Sequence, residues 1–363
     1  VLSLTDARAI VCEDQEQVDK VLEIRDRLPQ LRNIIYLDGK GLSHYDEADL
    51  VSYDDLMAAG AKVSRGDPGF LDRMMADHDP DDVALIVGTS GSTGPPKAAL
   101  VTFRNIAFVG EVSAENIGQD DTDSVVSYLP LCHVAEQLFS VFLAMRGGYA
   151  VSFGESLRTV QSDLREIAPS IFLGVPRIWE KMRAEALIGA RTAGLLKGLV
   201  FRLALRDARR FEDHWKKDYS FGDRLRHAFW EWLAYRPLRN ALGLTRSKIA
   251  ISGAAPVSEE TLRFFRGIGV PLMEGFGMTE TAGACAIQRL EQRTEGRIGK
   301  PLRGVEMKAA PDGELLIRGG CVFAGYYRNE EATAEALKDG WLHTGDVCEI
   351  HADGSVSIVD RKK

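Results

Sequence analysis

The sequence predicts an α/β protein, a mixed body followed by a smaller β-rich part, and three observations carry that reading. Over residues 1–80 short apolar runs alternate with charged helical stretches, the texture of strands and helices laid down in turn. The apolar run 83–87 leads at once into a polar, glycine-rich stretch, 88–94. From about residue 290 the pattern changes to short strands separated by turn residues.

Taken in order, 18–28 reads as an amphipathic helix, and Ile34-Ile35-Tyr36-Leu37 as a buried strand before the turn Asp38-Gly39. A strand-like run at 125–129 precedes Pro130-Leu131-Cys132-His133. Residues 185–248 stand apart. Fourteen Lys and Arg lie between 191 and 248 against seven acids between 185 and 231, interleaved with Leu195, Leu199, Phe211, Trp230, Trp232 and Tyr235. That is a helical, basic insertion: either solvated helices packed on the main body or an interfacial surface attracted to anionic lipid. Residues 314–319 form a strand, and 347–350 and 355–359 flank His351-Ala352-Asp353-Gly354 as a hairpin. The expected division is a body over 1–289, a β-rich subdomain over 290–359 and the start of a hinge at 360–363.

With 363 residues, 45% of them hydrophobic, the chain can fill two or three units of ordinary size, and disorder is excluded. A formal net charge of -8 argues against a nucleic-acid partner, whose footprint is a basic face. Five scattered cysteines without CxxC spacing suit neither a disulfide framework nor a zinc site, and a reducing cytoplasm is expected, with peripheral membrane contact through 185–248 as the refinement. No window resembles a signal peptide or a span of about 20 apolar residues. The chain opens on Val-Leu-Ser and stops on Asp360-Arg361-Lys362-Lys363, so a fragment is expected.

The strongest local signal is Gly88-Thr89-Ser90-Gly91-Ser92-Thr93-Gly94-Pro95-Pro96-Lys97. Its glycines let backbone N–H groups face an anion, four hydroxyls add donors, and Lys97 supplies a point charge for phosphate oxygens. It lacks the Gly-Lys-Ser/Thr of a Walker loop, and the two prolines make the chain leave the loop extended.

This stretch resembles the phosphate-binding loop of the adenylate-forming superfamily, the acyl-CoA synthetases, luciferases and peptide-synthetase adenylation domains. Gly88 stands where the family has Tyr, and Ala98 where it has Gly. Further motifs follow in the family's order. His133, after Pro130, is similar to the His near the acyl carboxylate and the mouth of the acyl tunnel, although Gln137 stands where some long-chain members carry a gating Trp. Ser252-Gly253-Ala254-Ala255-Pro256 resembles the adenine-pocket loop. Glu274-Gly275-Phe276-Gly277-Met278-Thr279-Glu280 resembles the motif whose aromatic ring stacks on adenine, whose Thr bonds the α-phosphate and whose Glu is a hard ligand for Mg²⁺. Trp341-Leu342-His343-Thr344-Gly345-Asp346 resembles the motif whose Asp accepts both ribose hydroxyls. Asp360-Arg361-Lys362-Lys363 resembles the hinge, with Arg361 on ribose or phosphate and Lys363 at the pivot.

The resemblance implies a layered αβα body with a small β-barrel-like subdomain, the C-terminal lid being absent. Val175-Pro176-Arg177-Ile178-Trp179-Glu180-Lys181 and the basic insertion point to the long-chain fatty acid–CoA ligase branch. The implied substrates are a fatty acid, ATP and CoA, with Mg²⁺ as cofactor. Lys97, Thr279 and Glu280 are the catalytic candidates, and Thr89 and Glu280 the metal candidates. The nucleotide set is Thr89, Ser90, Gly91, Ser92, Thr93, Gly94, Lys97, Gly253, Ala254, Ala255, Glu274, Gly275, Phe276, Thr279, Asp346, Arg361 and Lys363. Two rivals stand beside it: an enzyme that hands its acyl group to a carrier protein, and a nucleotide-binding fragment without catalysis.

Overall fold

The computed structural model describes residues 2–89, 96–192, 194–211, 219–290, 294 and 296–362. The chain forms two compact units. One holds residues 1–103 together with Tyr326–Asn329, and the other holds 104–325 and 330–363. Most of the β-rich stretch expected from 290 is one sheet inside the second unit, Tyr326–Asn329 belong to the first, and the chain divides at 103/104.

In the first unit, strands β1 (Ala9–Cys12), β2 (Asn33–Tyr36) and β3 (Leu50–Ser52) make a parallel sheet in sequence order. Its core is Cys12, Val18, Val21, Leu28, Leu31, Ile34 and Leu42. The helix expected at 18–28 starts earlier, at Gln15, where the Asp14 carboxylate accepts from the Gln17 N–H at 3.1 Å. It ends at Leu22 and gives way to a 3₁₀ turn, Arg25–Arg27. The reason is Arg25, which reaches Asp49 at 2.7 Å and the Leu28 and Leu31 carbonyls at 2.9 and 2.7 Å, and Pro29, which disfavours helix at the residue before it. Helices Tyr53–Gly66 and Phe70–Ala76 bury no residue. A second sheet pairs β4 (Val83–Thr89) with β5 (Lys97–Thr102) antiparallel, and Gly325–Tyr326 adds a third strand beside β5.

The second unit is built on a six-stranded sheet. Its strands are β6 (Ser124–Ser127), β7 (Ala150–Phe153), β8 (Ile171–Gly174), β9 (Ile249–Ser252), β10 (Leu272–Met278) and β11 (Gly283–Ile287), in the order β11-β10-β9-β8-β6-β7. All pairings are parallel except β10 with β11. The near-continuous apolar runs of β8 and β9, buried at every position, are what a parallel sheet covered on both faces requires. Trp179 of helix Pro176–Thr192 is fully buried, edge-on to Phe172 at 5.1 Å and to Phe265 at 4.9 Å, in the core formed with Leu262, Leu272 and Tyr235. The expected insertion is helical: Leu195–Phe211, Phe221–Trp230 and Arg236–Leu242 follow one another. Beyond it, Val305–Ala309, Glu314–Gly319, Leu337–Lys338, Trp341–Ile350 and Val356–Arg361 form an antiparallel sheet, the last two paired as the expected hairpin.

Candidate functional site

Parallel strands end on one edge. Strands β6, β8, β9 and β10 all point their carboxyl ends the same way, and the order turns back between β6 and β8, because β7 lies on one side of β6 and the rest on the other. Ligands of open α/β sheets bind outside such ends. Three of the predicted motifs sit there: the loop to His133 after β6, Gly253–Ala255 after β9, and Thr279–Thr281 after β10.

Local backbone explains why these residue types occupy those places. A side chain at Gly253 would meet only ordinary contacts, Gly275 O at 3.7 Å being nearest. Ala254 sits at φ 72, a left-handed conformation that costs a non-glycine residue about 1–2 kcal/mol. Strain of this kind gathers at functional loops. At Gly277 the need for glycine is absolute, since a Cβ would lie 1.7 Å from Gly283 O. The register of β10 against β11 shifts between Phe276 and Gly277, so the strand bulges as it delivers its end. Thr281, fully buried, locks the turn: its hydroxyl accepts from the Met278 N–H at 3.0 Å and lies 2.9 Å from Gly283 O. Glu280 is thereby held buried, and its carbonyl accepts from the Phe323 N–H at 3.0 Å. The Glu274 N–H donates to the buried Gln288 at 3.1 Å.

The antiparallel sheet supplies the next component. Asp346 is buried, its N–H bonded to Thr344 Oγ1 at 3.1 Å, and that hydroxyl donates to Leu315 O at 2.8 Å. Gly345 turns the chain at φ 73. Burial pushes the Asp346 pKa up, the Arg361 guanidinium 3.3 Å away pulls it down, and the negative charges of Glu280 and Glu314 push it up again. Glu280 and Asp346, predicted from separate motifs, are therefore electrostatic neighbours, and Arg361 joins them.

Sequence reasoning missed Glu314. It accepts from Gly345 N–H at 2.9 Å, from Lys362 at 3.0 Å, and contacts His343 Nδ1 at 3.1 Å. Burial opposes its charge, yet Lys362, the Gly345 N–H and His343 together hold its pKa below the ordinary range. It fixes the turn that presents Asp346. A carboxylate opening the apolar run 314–317 was the available signal. Lys362 also donates its N–H to Gly345 O at 2.7 Å and pairs with Asp312 at 2.6 Å, which ties the expected hinge segment to the turn before Asp346.

His133 is exposed and sits just before helix Val134–Gln137 without capping it. Gln137, at the expected gate position, folds back to donate to Leu131 O at 2.6 Å. Beneath them the buried Glu136, a second residue not foreseen, accepts from Leu129 N–H at 3.1 Å and from Ser140, so it braces the loop rather than facing a ligand.

In the first unit, Thr89 and Lys97 are paired across β4 and β5, with the Thr89 hydroxyl 3.4 Å from Lys97 O. The Lys97 ammonium lies over the Tyr326 ring, 4.9 Å from its centre. Around Gly88 a side chain would meet nothing within 4 Å, so its departure from the usual Tyr leaves open space. Ala98, in place of Gly, is accommodated buried. Ser90, Gly91, Ser92, Thr93, Gly94 and Lys363 lie outside the described residues. Among the described residues no cluster of three or more His, Cys, Asp or Glu could hold a metal ion. The donor set fits Mg²⁺ arriving on a triphosphate, since that ion needs one or two carboxylates beside phosphate and water, and Glu280 offers one.

Residues 1–327 match the family described as AMP-binding enzyme. The chain is 34% identical over 372 residues to the long-chain-fatty-acid–CoA ligase FadD15 of Mycobacterium bovis, covering 100% of this chain and 58% of that protein. It is 31% identical over 379 residues to the long-chain-fatty-acid–CoA ligase ACSBG2 of Xenopus laevis, covering 99% and 49%. The chain thus spans about half the length of these curated relatives. The fold matches the crystal structure of the anthranilate CoA ligase AuaEII in complex with anthranoyl-AMP, with TM-score 0.69, 18% identity and coverage of 99% of this chain and 60% of that one.

Proposed function

The chain belongs to the AMP-binding enzyme family, and from that premise we propose that it is the nucleotide-binding part of an AMP-forming ligase acting on a long-chain fatty acid and CoA. The relatives named above support the substrate class. The observation that carries the reading is the pairing of Asp346 with Arg361 at 3.3 Å, on facing strands and within the electrostatic reach of Glu280, three residues predicted separately to handle one nucleotide.

In the first step a fatty carboxylate oxygen attacks the α-phosphorus of ATP. The bond to the bridging oxygen breaks, and pyrophosphate leaves with its electron pair. In the second, the CoA sulfur attacks the acyl carbonyl, loses its proton, and AMP departs. Little covalent work falls to the protein, so positioning and charge stabilisation dominate. Asp346 would accept both ribose hydroxyls. The loop at Gly253–Ala255 would lie against the adenine, with Phe276 on its face. Thr279 would donate to the α-phosphate, and Lys97 would neutralise phosphate charge built up during departure. When bound with ATP, Mg²⁺ would be held by Glu280 and would offset triphosphate charge. His133, exposed at the carboxyl edge after β6, is placed for the acyl end.

The test is a screen of carboxylates on the chain and on its full-length form, following carboxylate-dependent exchange of pyrophosphate into ATP and AMP release with and without CoA. Exchange that prefers long-chain fatty acids, followed by CoA thioester, is the expected result. No exchange with any carboxylate would sink the reading. Exchange without transfer to free CoA would move the acceptor to a carrier protein.

A further inference from the structure

Helix Leu195–Phe211, and helix Phe221–Trp230 with its continuation to Tyr235, each anchor by one side. On the first, Ala204, Asp207, Ala208 and Phe211 are buried; on the second, Ala234 and Tyr235 are, and the Tyr235 hydroxyl donates to Ala204 O at 2.9 Å. The opposite sides carry large apolar residues that are exposed. Leu195, Leu199 and Leu203 recur every four residues and are 95%, 47% and 45% exposed. Phe221, Leu225, Phe229 and Trp232 continue the pattern on the second helix at 78%, 58%, 53% and 76%. A stray exposed leucine is ordinary. Two helical stripes containing two phenylalanines and a tryptophan mark an interaction surface.

Cations share that surface. Arg206 and Arg210 extend the Leu203 side of the first helix, are exposed, and have no ion partner among the described residues. Arg226 is held by the buried Asp207, which also accepts from Trp230 Nε1 at 2.6 Å. These residues and Leu203 line a cleft of about 560 Å³. Asp207 is committed to Arg226 and Trp230, and among the described residues no carboxylate pairs with Arg206 or Arg210 at its mouth.

We propose that these two helices are a docking surface for an anionic lipid bilayer. The leucine and aromatic stripes enter the boundary between headgroups and acyl chains, and Arg206 and Arg210 meet lipid phosphates at the cleft. Apolar and basic residues on one helical face are what an interfacial helix requires. Among the described residues no helix is long and apolar enough to cross a membrane, so the contact is made from one side. A second copy of the chain fits poorly, because a two-fold contact would bring the same basic helices against each other. Docking stands apart from the acyl-activation reading, and either can fail while the other holds.

The test is sedimentation of the full chain with vesicles of phosphatidylcholine, with and without phosphatidylglycerol, at low and high salt. Binding should favour the anionic vesicles and weaken with salt. The R206Q/R210Q double variant should lose affinity about 25-fold, at roughly fivefold per arginine. Phe229→Asp with Trp232→Asp should abolish binding. Both positions are exposed, so these variants should keep the wild-type circular dichroism and melting curve. Trp232 emission should shift to the blue on binding, and Trp232→Phe should remove most of that shift. Equal affinity for neutral and anionic vesicles, or an unaffected arginine double variant, would overturn the proposal. So would a dimer that Trp232→Asp disperses, in a chain that ignores vesicles.

Discussion

At the scale of single residues, the raised pKa of Asp346 predicts a response to pH. Burial raises its pKa and Arg361 only partly offsets this. A raised carboxylate is still protonated at a pH where an exposed aspartate has ionised, and on the proposed ribose contact a protonated one is the weaker acceptor. AMP affinity should therefore fall on acidification, with a midpoint above the ordinary aspartate range. Arg361→Ala removes the counter-charge and should move that midpoint higher still; calorimetric titration across the acid range checks both, and an unmoved midpoint would exclude the pairing. In the free protein the sign is the reverse. A group with a raised folded pKa contributes stability below its unfolded pKa that is lost as pH rises through the folded one. Lys97→Ala should slow pyrophosphate exchange about 10²-fold, the scale of one preorganised electrostatic contact. It should barely change stability, because the lysine's packing on Tyr326 is worth only about 0.5–1 kcal/mol.

Elements respond to substitutions according to the space they leave. Gly277→Ala forces a methyl against Gly283 O at the bulge between β10 and β11, and should cost about 3 kcal/mol, read as a lower denaturant midpoint. Gly253→Ala meets nothing nearer than 3.7 Å and should leave that midpoint nearly unchanged, so equal losses would refute the argument from close approach. Helices Tyr53–Gly66 and Phe70–Ala76 bury nothing. With no burial to hold them, their amides should exchange with deuterium before those of β8 and β9, whose residues are all buried. Such differences follow from packing, which the pattern of apolar and polar residues along the chain does not record.

For the whole molecule, the first unit is discontinuous. The chain leaves it at Phe103 and returns at Tyr326–Asn329. There the Tyr327 N–H donates to Ala98 O at 2.8 Å, the Tyr327 hydroxyl meets Asp6 at 3.1 Å, and Arg328 pairs with the same Asp6. A two-stranded sheet is marginal in water by itself. Residues 1–103 expressed alone should therefore melt over a broad range, while the full chain melts cooperatively; a sharp transition in the short piece would show that the returning segment is dispensable.

What the sequence determined by itself was local chemistry: the alternation that makes an α/β body, the strand and hairpin runs, and the residue types of each motif. Lys97, Glu280, Asp346 and Arg361 could be named as candidates because their motifs lie within a few residues of chain. Only the tertiary structure decided that Asp346 pairs with Arg361, that Glu314 and Lys362 pin its turn, that Tyr326 returns to lie beneath Lys97, and that one face of the basic helices carries exposed apolar residues. Each joins residues far apart in sequence or depends on what an element is packed against. Local propensity does not encode such distances; they are set when the hydrophobic faces are buried together and the chain between them closes.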